Sequence, residues 1–120
     1  MTQVSYSTLN NLQEVSFIAG HTYSFDFNIY QNGEMVTMVG KSLEWRLAPY
    51  GEKNYVSLVK TEGDGVVDVD SFTKRVTLSP SDTENLSGKF VQQPIVTDFD
   101  GNVFKPGQGI VVILSGIPNS

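Results

Sequence analysis

Residues 76–90 read VTLSPSDTENLSGKF, and this stretch decides the fold because it predicts a strand, one capped helical turn, a glycine exit and another strand. Ser79 is placed as an N-cap, Pro80 as the first helical residue and Asp82 as the third, where a carboxylate suits the helix dipole. We therefore expect one short helical turn near residues 80–86, at the point where the chain crosses from one β-sheet to another.

The sequence around this stretch alternates between apolar and polar residues, which predicts strands rather than helices. Tyr, Phe, Phe and Ile occupy every second position of residues 23–29, and Asn32-Gly33 is a strong hairpin signal. Roughly seven or eight short strands separated by turn signals are typical of an all-β sandwich or barrel. We predict an all-β, antiparallel two-sheet β-sandwich.

The inward faces of these strands give the expected core. Trp45 alternates with Leu43 and Leu47, so we expect it inside the sandwich. The apolar run at residues 110–114 predicts a last strand buried on both faces, and Pro94 predicts a sheet edge or a bulge. The predicted core consists of Phe25, Phe27, Leu43, Trp45, Leu47, Val76, Leu78, Phe90 and Val112.

Composition excludes several classes of function. The 120 residues suit one domain, and the lack of cysteine removes disulfides, thiolate zinc sites and cysteine nucleophiles. Thirteen acidic residues against eight basic ones give a net charge of −5, which argues against nucleic acid as a partner. No stretch approaches the ~20 apolar residues of a membrane-spanning helix, and the first residues do not resemble a signal peptide. We expect no membrane partner and synthesis in the cytoplasm.

The chain divides into an N-terminal arm, residues 1–14, and one sandwich domain, residues 15–120. The arm is polar and aperiodic, with Tyr6, Leu9 and Leu12 as its large apolar side chains. Such a segment builds no core of its own but can add to a neighbour's sheet edge or groove. These three residues are the predicted partner-binding residues, and a frayed terminus is the alternative interpretation.

Catalysis and metal binding have little support in the residues. His21 is the only histidine, and no Gly-x-Ser-x-Gly elbow is present, so we expect no enzymatic activity and no cofactor. Asp98, Asp100 and Asn102 are weak calcium candidates, because their spacing resembles the start of a calcium loop. The same spacing suits a β-turn held by Asx hydrogen bonds.

Aromatic residues give a second candidate site. Tyr50 and Tyr55 flank a predicted loop and are candidate contacts for a host surface glycan, as in carbohydrate-binding modules. Trp45 would complete such a platform only if it faced outward, which its alternation with leucines argues against.

The order of the motifs resembles one family. They are GHTYSF at residues 20–25, NG at 32–33, GKSLEWRL at 40–47, LSPSDTENLSGKF at 78–90, DGN at 100–102 and GQGIVV at 107–112. This order is similar to that of the immunoglobulin-like domain of bacteriophage baseplate upper proteins and related tail, fibre and head-decoration proteins, over residues 15–116. The resemblance implies an antiparallel two-sheet, immunoglobulin-like β-sandwich. It also implies a non-enzymatic structural protein located in the virion, whose partners are further copies of itself and other virion proteins. A carbohydrate-binding or adhesion module is the alternative.

Overall fold

The structure is a computed structural model, and it describes residues 12, 14–52 and 55–116. Apart from one helix, α1 (Pro80–Thr83), the regular elements are strands. They are β1 (Val15–Ile18), β2 (Tyr23–Phe27), β3 (Ile29–Gln31), β4 (Glu34–Val36), β5 (Ser42–Pro49), β6 (Leu58–Glu62), β7 (Gly65–Asp68), β8 (Lys74–Leu78), β9 (Gly88–Thr97), β10 (Val103–Phe104) and β11 (Gly109–Leu114). Within this described part, no helix has the length and apolar character needed to cross a bilayer.

Eight strands pair in one continuous path that folds into two layers. The order is β1-β11-β9-β5-β6-β7-β8-β2, with β10 added to β9 and β3–β4 forming a separate hairpin. The path turns at β6, where Leu58 and Lys60 pair with β5 while Thr61 and Glu62 pair with β7. The layers then face each other, and the Phe25 ring of β2 stacks on the Trp45 ring of β5 with centroids 5.5 Å apart.

The prediction of a purely antiparallel, two-sheet arrangement is wrong, because one continuous path of strands forms both layers and two of its pairings are parallel. Strand β1 pairs with β11 in parallel, and β6 pairs with β7 in parallel over two residue pairs. A period-two pattern is the same in both kinds of pairing, so it specifies which face is buried but not the direction of the neighbour. Because β1 and β11 come from distant parts of the chain, no tight hairpin forces them to be antiparallel.

The predicted helical turn is present but shorter than expected. It ends at Thr83, and the segment up to Gly88 is turn and irregular chain. The Asp82 carboxylate accepts a hydrogen bond from the Ser79 N–H at 2.7 Å, the firm bond of a capping box. The buried Thr83 hydroxyl oxygen accepts the Gly20 N–H at 3.0 Å, which ties the turn to the β1–β2 corner.

A long side chain connects the same helical turn to β6. The Lys60 Nζ lies 2.9 Å from an Asp82 carboxylate oxygen, and both side chains are largely buried. The Lys60 side chain packs against Gly65, where an added Cβ would lie 2.6 Å from the Lys60 Cδ. Gly65 also has a φ of +98°, so only glycine suits both the backbone and the passing side chain.

Nearly all of the predicted core is confirmed. Every predicted core residue except Val112 is buried, while Val112 is half-buried and its neighbours Val111 and Ile113 point inward. The prediction that residues 110–114 are buried on both faces is therefore wrong. Strand β11 has an inner and an outer face because this layer is covered by the second layer on one side only.

Pro94 lies in a central strand, at a break in its pairing. Strand β9 pairs with β5 along its length, with β11 as far as Gln92 and with β10 from Val96 onward. Pro94 lies between the residues of β9 that pair with β11 and those that pair with β10. Its missing N–H therefore costs the sheet no hydrogen bond on that side of β9.

One buried hydrogen bond lies at the centre of this layer. The Trp45 indole Nε1 donates to the Gln92 Oε1 at 2.8 Å, and both side chains are excluded from solvent. Gln92 is opposite Leu47 in the register, so the bond runs diagonally between β5 and β9. An indole N–H without this acceptor would be a buried donor with no partner.

A buried cation joins the two layers at the opposite end from α1. Lys74 is 3% exposed, and its Nζ lies 2.7 Å from Asp68 and 3.1 Å from Glu62. The second oxygen of Glu62 accepts the Leu43 N–H of β5 at 2.7 Å. Burial acts to lower the pKa of Lys74, but the bonds to Asp68 and Glu62 outweigh it and raise the pKa, so the lysine is charged at neutral pH.

Replacement of Gln92 by leucine should destabilise the domain. The variant leaves the Trp45 N–H buried without an acceptor, and we expect the free energy of unfolding to fall by about 1–3 kcal/mol. Urea denaturation followed by tryptophan fluorescence measures it. The matched control is Gln93→Leu on the outer face of the same strand, which should change stability by about 0.5 kcal/mol or less. Equal effects of the two variants would contradict the assigned role of the bond.

The Asp82 carboxylate should contribute to stability that is lost in acid. Desolvation acts to raise the pKa of Asp82, but hydrogen bonds from Lys60 and Ser79 outweigh it and hold the pKa below the ordinary value of 3.8. The folded state therefore binds this proton less tightly than the unfolded state. Its contribution is present above the ordinary pKa and disappears as the pH falls through the lowered one.

As the pH is lowered from about 7 to about 2, we therefore expect the Asp82→Asn variant to lose less thermal stability than the parent chain loses. The exposed Asp100, in the turn after β9, provides the control variant Asp100→Asn, which should keep the parent's acid dependence. Thermal melts across this pH range, read by circular dichroism, would count against the role of Asp82 if all three chains lost stability in parallel.

Candidate functional site

An open groove of about 640 Å³ lies on the outer face of strands β5 and β9. Its volume is within the range of about 300–1,000 Å³ that is usual for ligand pockets. We call it the β5–β9 groove. Its lining residues are Arg46, Ala48, Pro49, Tyr50, Gly51, Val56, Val91, Gln93, Ile95, Lys105 and Gln108.

The floor of the groove follows from the strand pattern. Arg46 and Ala48 alternate with the buried residues of β5, so they point away from the core. In the register of the two strands Arg46 is opposite Gln93 and Ala48 is opposite Val91. Side chains from two central strands therefore meet on one surface and form a floor that is partly apolar and partly polar.

The break in pairing around Pro94 provides one wall. Strand β10 ends at Phe104 and β11 begins at Gly109, so residues 105–108 leave the sheet beside the middle of β9. Lys105 and Gln108 of this connection are exposed and line the groove, while Pro106 between them is buried. The buried Pro106 thus packs this wall against the domain, and Lys105 and Gln108 give it a positive charge and an amide group.

The opposite wall is aromatic. Tyr50 is 56% exposed, and the Lys89 Nζ lies 4.2 Å from the centre of its ring, a cation–π contact that restrains the ring. The Tyr50 N–H donates to the Lys89 carbonyl at 3.0 Å, which extends the β5–β9 ladder to the end of the groove. This hydrogen bond holds the backbone of Tyr50, which carries the ring, against β9.

The groove is cationic although the chain is acidic overall. Arg46 and Lys105 are among the residues that line it, and those lining residues include no carboxylate. Glu44, next to the groove on β5, forms an ion pair with the Arg46 guanidinium. Exposed pairs of this kind are weak, so Arg46 remains able to exchange this partner for a ligand.

The two predicted glycan residues are only partly brought to this site. Tyr50 lines the groove, whereas Tyr55 is exposed and lies outside the lining. Trp45 is fully buried on the other face of β5, as its alternation with Leu43 and Leu47 predicted. Sequence reasoning missed Gln93 and Lys105, although the outward position of Gln93 could have been read from the alternation of β9.

The candidate calcium residues form the Asx turn that was the alternative interpretation. The Asp98 Oδ1 accepts the N–H groups of Asp100 at 3.0 Å and Asn102 at 2.9 Å. Desolvation acts to raise the pKa of Asp98, but hydrogen bonds from Asn102 and Asp100 outweigh it and lower the pKa. Among the residues that the structure describes, no group of three His, Cys, Asp or Glu side chains is placed to hold a metal ion.

Of the three predicted arm residues, the structure describes Leu12. Tyr6 and Leu9 lie outside the described residues, but Leu12 is half-buried and packs against the core of its own domain. It contacts the start of β11 so closely that a Cβ at Gly109 would lie 2.6 Å from the Leu12 Cβ. Leu12 therefore makes contacts within its own domain, beside a glycine that leaves room for it, and its role in partner binding stays a prediction.

Comparisons with known proteins identify the fold of the chain but no family. No protein-family model matches the chain, and no curated protein sequence does. Among solved structures, an immunoglobulin complex of titin M10 and obscurin-like 1 is similar with a TM-score of 0.51 and 11% identity, over 97% of this chain and 100% of that one. A structure of fibronectin(III)-like modules of Clostridium thermocellum CbhA has a TM-score of 0.52 and 6% identity, over 100% of this chain and 53% of that one. The fold is immunoglobulin-like.

Proposed function

We propose that the chain is a non-enzymatic structural domain of a bacteriophage virion, in the tail, baseplate, fibre or head surface, that acts by homo-oligomeric assembly. Its motif order resembles that of phage immunoglobulin-like domains, and its immunoglobulin-like fold is compatible with that resemblance. The fold itself hosts many functions, so it does not single out this one. The virion role rests on the motif order, and the assembly role rests on a surface of this molecule.

That surface is an exposed apolar patch at the end of the sandwich away from α1. Phe99 is 87% exposed and Val39 is 68% exposed, which are large fractions for such side chains. Phe72 and Met35 are also exposed. We call these four residues the apolar end. Contiguous exposed apolar patches mark interaction sites more often than isolated apolar residues do.

Hydrogen bonds and close contacts bring together the loops that carry Val39, Phe72 and Phe99, whereas Met35 lies on β4. An added Cβ at Gly40, next to Val39, would lie 3.9 Å from the Phe99 Cβ. The Ser71 carbonyl, next to Phe72, accepts the Met38 N–H at 2.7 Å and the Thr37 hydroxyl at 3.0 Å. The loops before β5, before β8 and after β9 thus present their apolar side chains together.

Assembly would remove this area from water. Burial of apolar surface contributes about 25 cal/mol per Å², so two phenylalanines and a valine at a contact between copies favour association. The apolar end is also separate from the β5–β9 groove: it lies at the loops, whereas the groove lies on the outer sheet face. Copies can therefore associate without covering the groove.

The parent chain should form a defined oligomer that depends on the apolar end. We expect light scattering coupled to size exclusion to give a mass of several chains for the parent and of one chain for Val39→Ser/Phe99→Ser, with unchanged circular dichroism. The control is Leu114→Ser, which removes a half-exposed apolar side chain at the other end and should keep the oligomer. A monomeric parent, or an oligomer that survives the double substitution, contradicts the proposed interface.

The virion assignment has its own test. Particles purified from cells that carry this gene should contain the chain in many copies, as measured by quantitative mass spectrometry against the other particle proteins. Antibody labelling in negative-stain electron microscopy then places it on the particle. Recovery of the chain from the cell lysate but not from the particles would refute the assignment, whatever its oligomeric state.

A further inference from the structure

We propose that the β5–β9 groove binds an acidic saccharide, a glycan whose sugar rings carry carboxylates. This inference goes beyond the structural role proposed above and does not depend on it. It rests on three features of the groove: an exposed aromatic wall, two amide side chains and two cations without a carboxylate among the lining residues.

The aromatic wall suits the apolar face of a sugar ring. The Tyr50 ring is more than half exposed, and the Lys89 contact holds it in place. A pyranose presents C–H groups on one face and hydroxyl groups at its rim, so it can pack on a tyrosine ring while its hydroxyls stay polar. Ala48 and Val91 extend this apolar contact along the floor.

The two amides suit the hydroxyls of the same sugar. Gln93 lies on the floor and Gln108 on the wall, and each side chain offers both a donor and an acceptor. A sugar hydroxyl also donates and accepts, so an amide can satisfy either arrangement. An amide side chain can therefore pair with a sugar hydroxyl in either direction while it stays uncharged.

The two cations select an acidic sugar over a neutral one. Arg46 on the floor presents a planar fork that matches a carboxylate, and Lys105 on the wall adds a second positive charge. In a chain with a net charge of −5, a groove whose described lining residues include Arg46 and Lys105 and no carboxylate favours anions locally, although Glu44 beside it pairs with Arg46. A neutral glycan would offer neither cation a carboxylate, and Arg46 would keep its pair with Glu44.

Other anionic ligands fit less well. Nucleic acid needs a series of cations to neutralise successive phosphates, whereas the described residues that line the groove include two. An acidic peptide would bind best by adding a strand to a sheet edge, but β5 and β9 pair with each other along their length, and the gap in the other pairing of β9 spans only residues 93–95. A saccharide needs no backbone ladder, which is why this class is favoured over a peptide.

Titration calorimetry and amide chemical shifts can test the inference with three probes: tri-galacturonate, the neutral galactose trimer and hexaglutamate. We expect the parent to bind tri-galacturonate at least about tenfold more tightly than either other probe, a difference of about 1.4 kcal/mol. The perturbed amides should fall in β5, β9 and residues 105–108. Equal binding of the neutral trimer would show that the charges are not used, and tighter binding of hexaglutamate would favour a peptide; either result overturns the proposal.

Matched variants locate the site. Lys105→Gln and Tyr50→Ala should each weaken tri-galacturonate binding by about tenfold or more while the fold is kept, as seen in unchanged amide spectra elsewhere. The controls are Arg75→Gln, a cation paired with Asp26 on the other layer, and Tyr55→Ala, an exposed tyrosine outside the groove. Both controls should bind as the parent does. Absence of tri-galacturonate binding to the parent, or equal losses in the controls, would overturn the assignment of the groove.

Discussion

The hydrogen bond from the Trp45 indole to Gln92 is the constraint around which the rest of the structure is arranged. It joins the two central strands on their inner face, while the Trp45 ring stacks on Phe25 from the opposite layer. The strands are thereby fixed to each other and to the second layer at one place. Because side chains alternate along a strand, this same constraint fixes which residues form the outer face, and so it places Arg46 and Gln93 on the floor of the groove.

The two ends of the sandwich are stabilised by different means. At one end α1 is held by the Thr83 bond to Gly20 and by the Lys60 ion pair with Asp82. At the other end the buried Lys74 draws Glu62 and Asp68 together, and beyond it the loops are linked through Ser71. The second end therefore has an ordered base, on which Val39 and Phe99 remain exposed to solvent. This combination of a fixed base and exposed apolar side chains is what a contact surface requires.

The two proposals use different surfaces of one fold. The apolar end depends on loops and suits association between copies, whereas the groove depends on the outer face of a sheet and on the connection at residues 105–108. The immunoglobulin-like solved structures share the layers but not the sequence, at 11% and 6% identity. Because that fold hosts many functions, both proposals rest on the side chains at these two surfaces rather than on the layers beneath them.

The sequence by itself determined the class of fold, the position of the helical turn and nearly all of the core, because burial in a strand follows a period of two that is visible in the residues. It also placed Tyr50 outside and Trp45 inside. Tertiary structure decided the parallel pairing of β1 with β11, the inward turn of Leu12 against Gly109 and the assembly of Tyr50, Gln93 and Lys105 into one groove. These features depend on residues far apart in the chain, and a local pattern carries no information on which distant strands become neighbours or in which direction they run.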